Sequence, residues 1–264
     1  MTVRWLHEDV QRGAVTYRLG RDGDVVVAEW THVATYRSDR LPRLLPQAGA
    51  DSTRVEKIQS GSARALDRAL EGRWSFHGAA FALGGEGVLL VGESGAGKST
   101  IAAATVASGG ELLADDIAFV DDVAGVLHLV PGERHHWIAP VDADRLGTVN
   151  PPRAVSSNEG GKSPFAARSV ADHPVPLRMV CELVADSGVA EPTLEPLRGA
   201  EAMRAISPAL FLLPSEDPVA LAAHFDWVAR VAQETEVVRL RRPVAADPAL
   251  VAAAIRHARM HRRG

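Results

Sequence analysis

The sequence predicts an α/β fold, a mixed sheet with flanking helices preceded by a small β-rich extension. Three observations predict it. An apolar run at residues 88–91 leads through a glycine-rich loop into a helical stretch at 98–107, and then into strand signals at 111–114 and 117–120, the order of a βαβ unit. The opening segment alternates apolar and polar residues, as in Val3-Arg4-Trp5-Leu6-His7, which is the period of half-buried strands. The chain of 264 residues, 46% hydrophobic and 23% charged, has apolar content for one large core or two small ones.

Taken in order, alternation at 3–7, 14–19 and 25–30, punctuated by Gly and Asp, predicts a meander of about three strands. Residues 41–61 read as a connection with one helical turn, and 62–70 as a short helix. A strand at 74–83 is turned by Gly84-Gly85-Glu86-Gly87 into the fully buried strand 88–91. The helix at 98–107 stops at Gly109-Gly110, where a C-cap wants glycine. A hairpin return at 126–130, a short helix at 141–146, the polar loop PPRAVSSNEGGKSP and strands at 178–184 and 193–197 follow. Helices are predicted at 199–206 and 218–234 and a strand at 237–240. A last helix runs through His261, with Asp247 as N-cap and Pro248 at its first position. The simplest division is a β-rich extension over 1–65 and one larger domain over 66–264.

Acidic residues (33) outnumber Lys and Arg (29), so the chain has no basic footprint for nucleic acid. No apolar run approaches the roughly 20 residues of a membrane span. Arg4, Glu8 and Asp9 stand where an export signal would need an apolar core. No nucleic-acid partner, no membrane and a cytoplasmic location are therefore expected. The lone Cys181, in the apolar run RMVCELV, reads as a buried core thiol. Lysine is scarce: Lys57, Lys98 and Lys162 are the only three.

Gly92-Glu93-Ser94-Gly95-Ala96-Gly97-Lys98-Ser99 satisfies G-x-x-x-x-G-K-[ST] between an apolar strand and a helix, with Thr100 next on that helix. In such a loop the glycines let backbone N–H groups turn inward around a triphosphate, and the helix start adds positive partial charge. Lys98 would reach the β- and γ-phosphates of ATP, and the Ser99 hydroxyl would ligate Mg2+. Asp115-Asp116 closes the following strand between Leu112-Leu113-Ala114 and Ile117-Ala118-Phe119. Carboxylates in such apolar flanks are costly unless a cation meets them. One can hold Mg2+ and the other can accept a proton from an attacking hydroxyl. His77, on the strand before the loop strand, fits a satisfied core histidine and a partner that tunes Asp116 equally well.

His77-Gly78, the phosphate-binding loop and Leu113-Ala114-Asp115-Asp116 together resemble the HPr kinase/phosphorylase family. The likeness extends to its shorter HPr-kinase-like serine kinases, including those encoded with lasso-peptide biosynthesis genes. The matching stretch runs over about 76–120. The resemblance implies a fold akin to phosphoenolpyruvate carboxykinase, with 66–264 as the catalytic domain. It implies Asp116 as proton acceptor from a serine hydroxyl, His77 as its helper, Lys98 as phosphate-binding lysine, and Ser99 as Mg2+ ligand, with Asp115 left to the metal. ATP and Mg2+ are the implied cofactors, a peptide or protein bearing an acceptor serine is the implied partner, and a homo-oligomer is the implied assembly. Regulator-type members carry a separate amino-terminal domain and a glutamate-bearing, glycine-rich segment after the aspartates. The region here reads Pro131-Gly132-Glu133-Arg134-His135-His136-Trp137.

Lys162, in a glycine-flanked loop, reads as a solvated residue or as a cation able to close on the γ-phosphate. Lys57 has no such setting. His135 and His136 are adjacent in a strand and point to opposite faces, which argues against a shared metal. A transporter signature of the LSGGQ type and the guanine-reading N-K-x-D are both missing. The remaining rivals are a small-molecule hydroxyl kinase and a nucleotide-gated binding module without catalysis.

Overall fold

The computed structural model describes residues 3–12, 15–146, 161–213 and 218–260. The strand period of the opening segment persists further than expected. It builds a five-stranded antiparallel meander of β1 (Arg4–Arg12), β2 (Val15–Asp22), β3 (Val25–Trp30), β4 (Ala34–Arg37) and β5 (Leu44–Pro46), in that spatial order. The last two strands escape the sequence pattern because they span only four and three residues, too few to display an alternation.

The expected connection at 41–61 is corrected in the same way. Asp51 caps a helix by accepting the Arg54 N–H at 3.0 Å. That helix, α1 (Ser52–Ile58), runs through a π-turn at Gln59–Ala63 straight into α2 (Arg64–Leu70). Ser-Gly-Ser within the π-turn has poor helix propensity and hides the continuity. Ile58, Ala63 and Leu66 pack on Val26, Ala28, Trp30 and Tyr36 of the meander, while Ala65 packs on Ile117 and Phe119 of the main body. The helix thus joins the two sheets. Arg68, 3% exposed, locks it by donating to the carbonyls of Trp74 (3.1 Å) and Val120 (2.8 Å) and to Asp121 (2.6 Å).

The main body contains β6 (Trp74–His77), β7 (Ala79–Leu83), β8 (Glu86–Val91), α3 (Lys98–Ala107), β9 (Glu111–Ala114), β10 (Ile117–Val123) and β11 (Val126–Val130). It continues with β12 (His135–Ile138), α4 (Pro140–Leu146), β13 (Ser163–Ala166), β14 (Val175–Ala185), β15 (Thr193–Pro196), α5 (Gly199–Ile206), α6 (Pro218–Glu234), β16 (Glu236–Arg242) and α7 (Pro248–Met260). The main sheet runs β6-β10-β11-β14-β8-β7-β9, with β16 on β14 and β15 on β16. Its centre is parallel, β8 and β16 both lying parallel to β14. Side chains there alternate between two cores. Val88 and Leu90 join Met179, Cys181, Val238 and Leu240 beneath α3 and α7. Leu89 and Val91 join Val180 and Val237 beneath α5 and α6. A strand buried on both faces reads as a continuous apolar run, which is why 88–91 was legible. The two short strands β12 and β13 form a separate antiparallel pair.

The strand expected at 74–83 is broken at Gly78. Its first half pairs with β10 (His77 opposite Ile117) and its second half with β8 and β9 (Ala79 opposite Leu90, Ala80 opposite Ala114). At the break a Cβ would lie 2.3 Å from the Leu90 carbonyl oxygen, a backbone atom with little room to move. Only glycine lets the chain cross there. Gly78→Ala is therefore expected to lower unfolding free energy by about 1–3 kcal/mol, as overpacking of a fixed core does. Denaturant midpoints would check this, and an unchanged midpoint would mean that the two strands slide apart freely.

Candidate functional site

The loop at 92–97 leaves β8 and enters α3 in a conformation that its glycines make feasible. Gly92, Gly95 and Gly97 all have positive φ (137°, 84° and 93°), and a Cβ at Gly92 would approach the Leu183 carbonyl oxygen to 2.7 Å. Gly97 caps α3 with no side-chain acceptor, so the helix's first N–H groups face the loop. Glu93, Ser94 and Gly95 are exposed. Lys98 folds over the loop and donates to the Gly92 and Glu93 carbonyls at 2.8 and 3.0 Å. Arg242, at the end of β16, braces the loop by donating to the Ala96 carbonyl at 2.7 Å. The Thr100 hydroxyl turns toward Asp142 of α4 at 3.4 Å.

Asp115 and Asp116 lie where the chain passes from β9 to β10. Asp116 takes a left-handed backbone (φ 93°), rare for a residue with a Cβ and held by its surroundings. Its carbonyl accepts the Gly78 N–H at 2.9 Å. The two carboxylates face different environments. Asp115 is 1% exposed, and its Oδ2 accepts the Trp137 N–H at 2.7 Å. Its Oδ1 is buried with no hydrogen-bond partner among the described residues. Burial pushes the Asp115 pKa up to about 6, against the Ser99 hydroxyl and the Trp137 N–H, which favour ionisation. Asp116 faces outward, its Oδ1 3.4 Å from His77 Nδ1 and its Oδ2 3.5 Å from Lys57 Nζ.

Several residues outside the sequence motifs complete the site. Lys57 comes from α1, its ammonium 4.4 Å from the Trp137 ring centroid. The Trp137 indole N–H donates to Glu133, whose pKa burial raises well above the usual glutamate value. His136, 1% exposed, places Nδ1 4.0 Å from Asp115 Oδ2, and burial lowers its pKa to about 4, which keeps the ring neutral at pH 7. Lys98 is also lowered by burial, with Asp116 opposing and Lys162 adding to the shift. Of the three lysines, Lys57 pairs directly with one of these carboxylates, Asp116. Residues 158–160, part of the expected Lys162 loop, lie outside the described residues.

The arrangement fits a magnesium nucleotide. Asp115 presents a buried, unpartnered oxygen beside the Ser99 hydroxyl at the foot of a glycine loop. Among the described residues no cluster of three His, Cys, Asp or Glu could hold a metal alone. Magnesium suits such a site because it is ordinarily held by one or two carboxylates together with phosphates and water. Residues 68–138 match the model of the HPr Serine kinase C-terminal domain, a stretch that begins on α2 and ends with β12. Over that stretch the chain is HPr-kinase-like. Among solved structures, the HPr(Ser) kinase/phosphatase from Coxiella burnetii is 14% identical, aligned over 72% of this chain and 99% of that one with a TM-score of 0.41. No curated protein matches. None of the described helices is long and apolar enough to cross a membrane.

The Asp115 shift makes a prediction for the unliganded chain. A carboxyl whose pKa rises on folding stabilises the folded state below its unfolded value near 4. That contribution is lost as pH climbs through about 6. Asp115→Asn should therefore raise the unfolding free energy at pH 7.5 by on the order of 2–3 kcal/mol at most, seen as a higher thermal midpoint, and leave it nearly unchanged at pH 4. Calorimetry at the two pH values would check both; a lower midpoint at pH 7.5 would show that the carboxylate is compensated within the fold.

Proposed function

We propose that the protein is an ATP- and Mg2+-dependent kinase that transfers the γ-phosphoryl group to a serine hydroxyl of a peptide or protein. The observation that carries this reading is Asp116, held outward beside the glycine loop between His77 and Lys57. A module that only binds nucleotide has no use for a second carboxylate turned away from the metal position and flanked by two titratable partners. The family match over 68–138 supports a kinase of the HPr-kinase type, and the resemblance to kinases encoded with lasso-peptide genes makes a precursor of such a peptide the acceptor we favour.

In the proposed reaction the loop N–H groups and Lys98 hold the triphosphate, and Lys98 exchanges its two carbonyl partners for phosphate oxygens. Ser99 and Asp115 would hold Mg2+, which when bound neutralises charge on the transferring group. Asp116 receives the proton of the serine hydroxyl as that oxygen bonds to the γ-phosphorus, while the bond from phosphorus to the β–γ bridging oxygen breaks and ADP departs. His77, 3.4 Å from Oδ1, orients the carboxylate and shares the proton's charge. Phosphoryl transfer leaves little covalent work to a protein, so positioning and charge account for the catalysis.

Asp116→Asn preserves shape and removes the base. Transfer from radiolabelled ATP should fall by roughly 10²–10⁴-fold, the usual weight of a positioned base, while nucleotide affinity changes little. Undiminished transfer would remove Asp116 from the mechanism. Lys98→Met should instead weaken nucleotide binding itself, which titration calorimetry would detect.

A further inference from the structure

A pocket of about 200 Å³ opens between the helix at 53–60 and residues 132–137, and one of its lining residues, Lys57, reaches Asp116 at 3.5 Å. One wall is made by Thr53, Glu56, Lys57 and Ser60, and the facing wall includes Glu133 and Trp137. The four positions are spaced i, i+3, i+4 and i+7, so one face of the helix, from α1 into the first turn of the π-segment, forms the wall. No residue of the glycine loop lines the pocket. Lys57 lines it and is in contact with Asp116 on one side and with the Trp137 ring on the other.

We propose that this pocket receives the acceptor, as a serine-bearing peptide segment, and that Lys57 is the positioning residue that sets the hydroxyl against Asp116. The inference rests on the kinase reading above. In-line transfer needs donor and acceptor on opposite sides of the reacting phosphorus. Lys98 and the loop occupy the donor side, and this pocket, which no loop residue lines, is linked to Asp116 through Lys57. Its walls mix hydroxyls, carboxylates, a cation and an indole, a set that suits backbone N–H and C=O groups alternating along a peptide. Its volume is below the roughly 300–1,000 Å³ of pockets that enclose a whole small molecule. It therefore takes a side chain and its immediate neighbours from a longer chain. Thr53, Glu56, Lys57 and Ser60 all precede the matched stretch at 68–138, so acceptor choice belongs to the amino-terminal extension of this protein.

The test uses the full chain with Mg2+ and a non-hydrolysable ATP analogue to capture peptides from a degenerate library with a fixed central serine, and the same library with radiolabelled ATP to measure transfer. Lys57→Met should raise KM for the captured peptide roughly tenfold or more with a smaller change in kcat, and leave nucleotide affinity within about twofold, the loss expected for one charge-assisted contact. Lys57→Arg keeps the cation and its stacking on Trp137 and should restore most of the affinity. Thr53→Trp fills the pocket from a half-buried position and should abolish capture; it serves as a second probe if Lys57→Met does not fold. Transfer whose KM ignores both substitutions overturns the pocket and leaves the kinase intact. Capture that depends on both residues without any transfer by the unmodified chain keeps the pocket and overturns the kinase. Neither capture nor transfer by the folded chain overturns both.

Discussion

The hydrogen bond from the Gly78 N–H to the Asp116 carbonyl, 2.9 Å long, closes the joint on which the site depends. Two strand connections change partners at this point. The chain leaves β6 for β7 at Gly78 and leaves β9 for β10 at Asp115-Asp116, so the pair β6/β10 is continued by the pair β7/β9. Each crossing needs an unusual backbone. Gly78 supplies it by lacking a Cβ, and Asp116 by adopting a left-handed φ. In an unbroken strand adjacent side chains would also point to opposite faces, but both faces would be core. At the joint one face is core and the other is the mouth of the glycine loop. That asymmetry separates the chemistry of two adjacent carboxylates, one enclosed beside Ser99 and one presented to His77 and Lys57.

Charge is distributed to match. Arginines hold the scaffold together, in pairs such as Arg68 with Asp121, Arg239 with Glu182 and Arg259 with Glu86. Their planar forks suit fixed geometry. Two of the three lysines, Lys57 and Lys98, sit at the site, where a compact ammonium on a flexible stem can exchange one oxygen partner for another. Lys98 now sits on two backbone carbonyls and Lys57 on a carboxylate and an indole face. The scarcity of lysine, which GC-rich coding would produce without any functional cause, coincides with a division of labour in the fold.

The donor half of the site was legible in the sequence because it is local. A glycine loop, its lysine and its serine lie within eight consecutive residues, and the strand and helix on either side are long apolar runs. His77 was legible only as a residue with two readings, since its approach to Asp116 depends on β6 pairing with β10 rather than with the loop strand. Lys57 and Trp137 carried no signal, Glu133 stood only within a segment compared with the family's glutamate-bearing one, and His136 was weighed only as half of an unfavoured metal pair. Lys57 lies on a helix whose continuity is masked by Ser-Gly-Ser. Glu133 and Trp137 act through each other across a turn, and His136 is a buried ring in a short strand that reads as core. The meander lost two strands to the same difficulty, their brevity.

One helical face shows how distant sequence comes to act at a single place. Lys57, Arg64 and Arg68 project along the helix formed by α1, the π-turn and α2. They meet, in order, Asp116 (3.5 Å), the Phe119 ring (4.2 Å from its centroid) and Asp121 (2.6 Å). The helix therefore lies along β10, with each cation addressing the next feature of the strand. Arg68 is nearly enclosed and makes three bonds there, so its end of the helix is fixed. The Arg64 guanidinium adds a bond to the Pro131 carbonyl and ties the same helix to the segment that carries Glu133 and Trp137. Arg64 and Arg68 thus fix the backbone of this helix against β10 and the 131–137 segment, which sets where the Lys57 stem begins. In this way the helix that follows the meander brings Lys57 to Asp116 through contacts spread along β10.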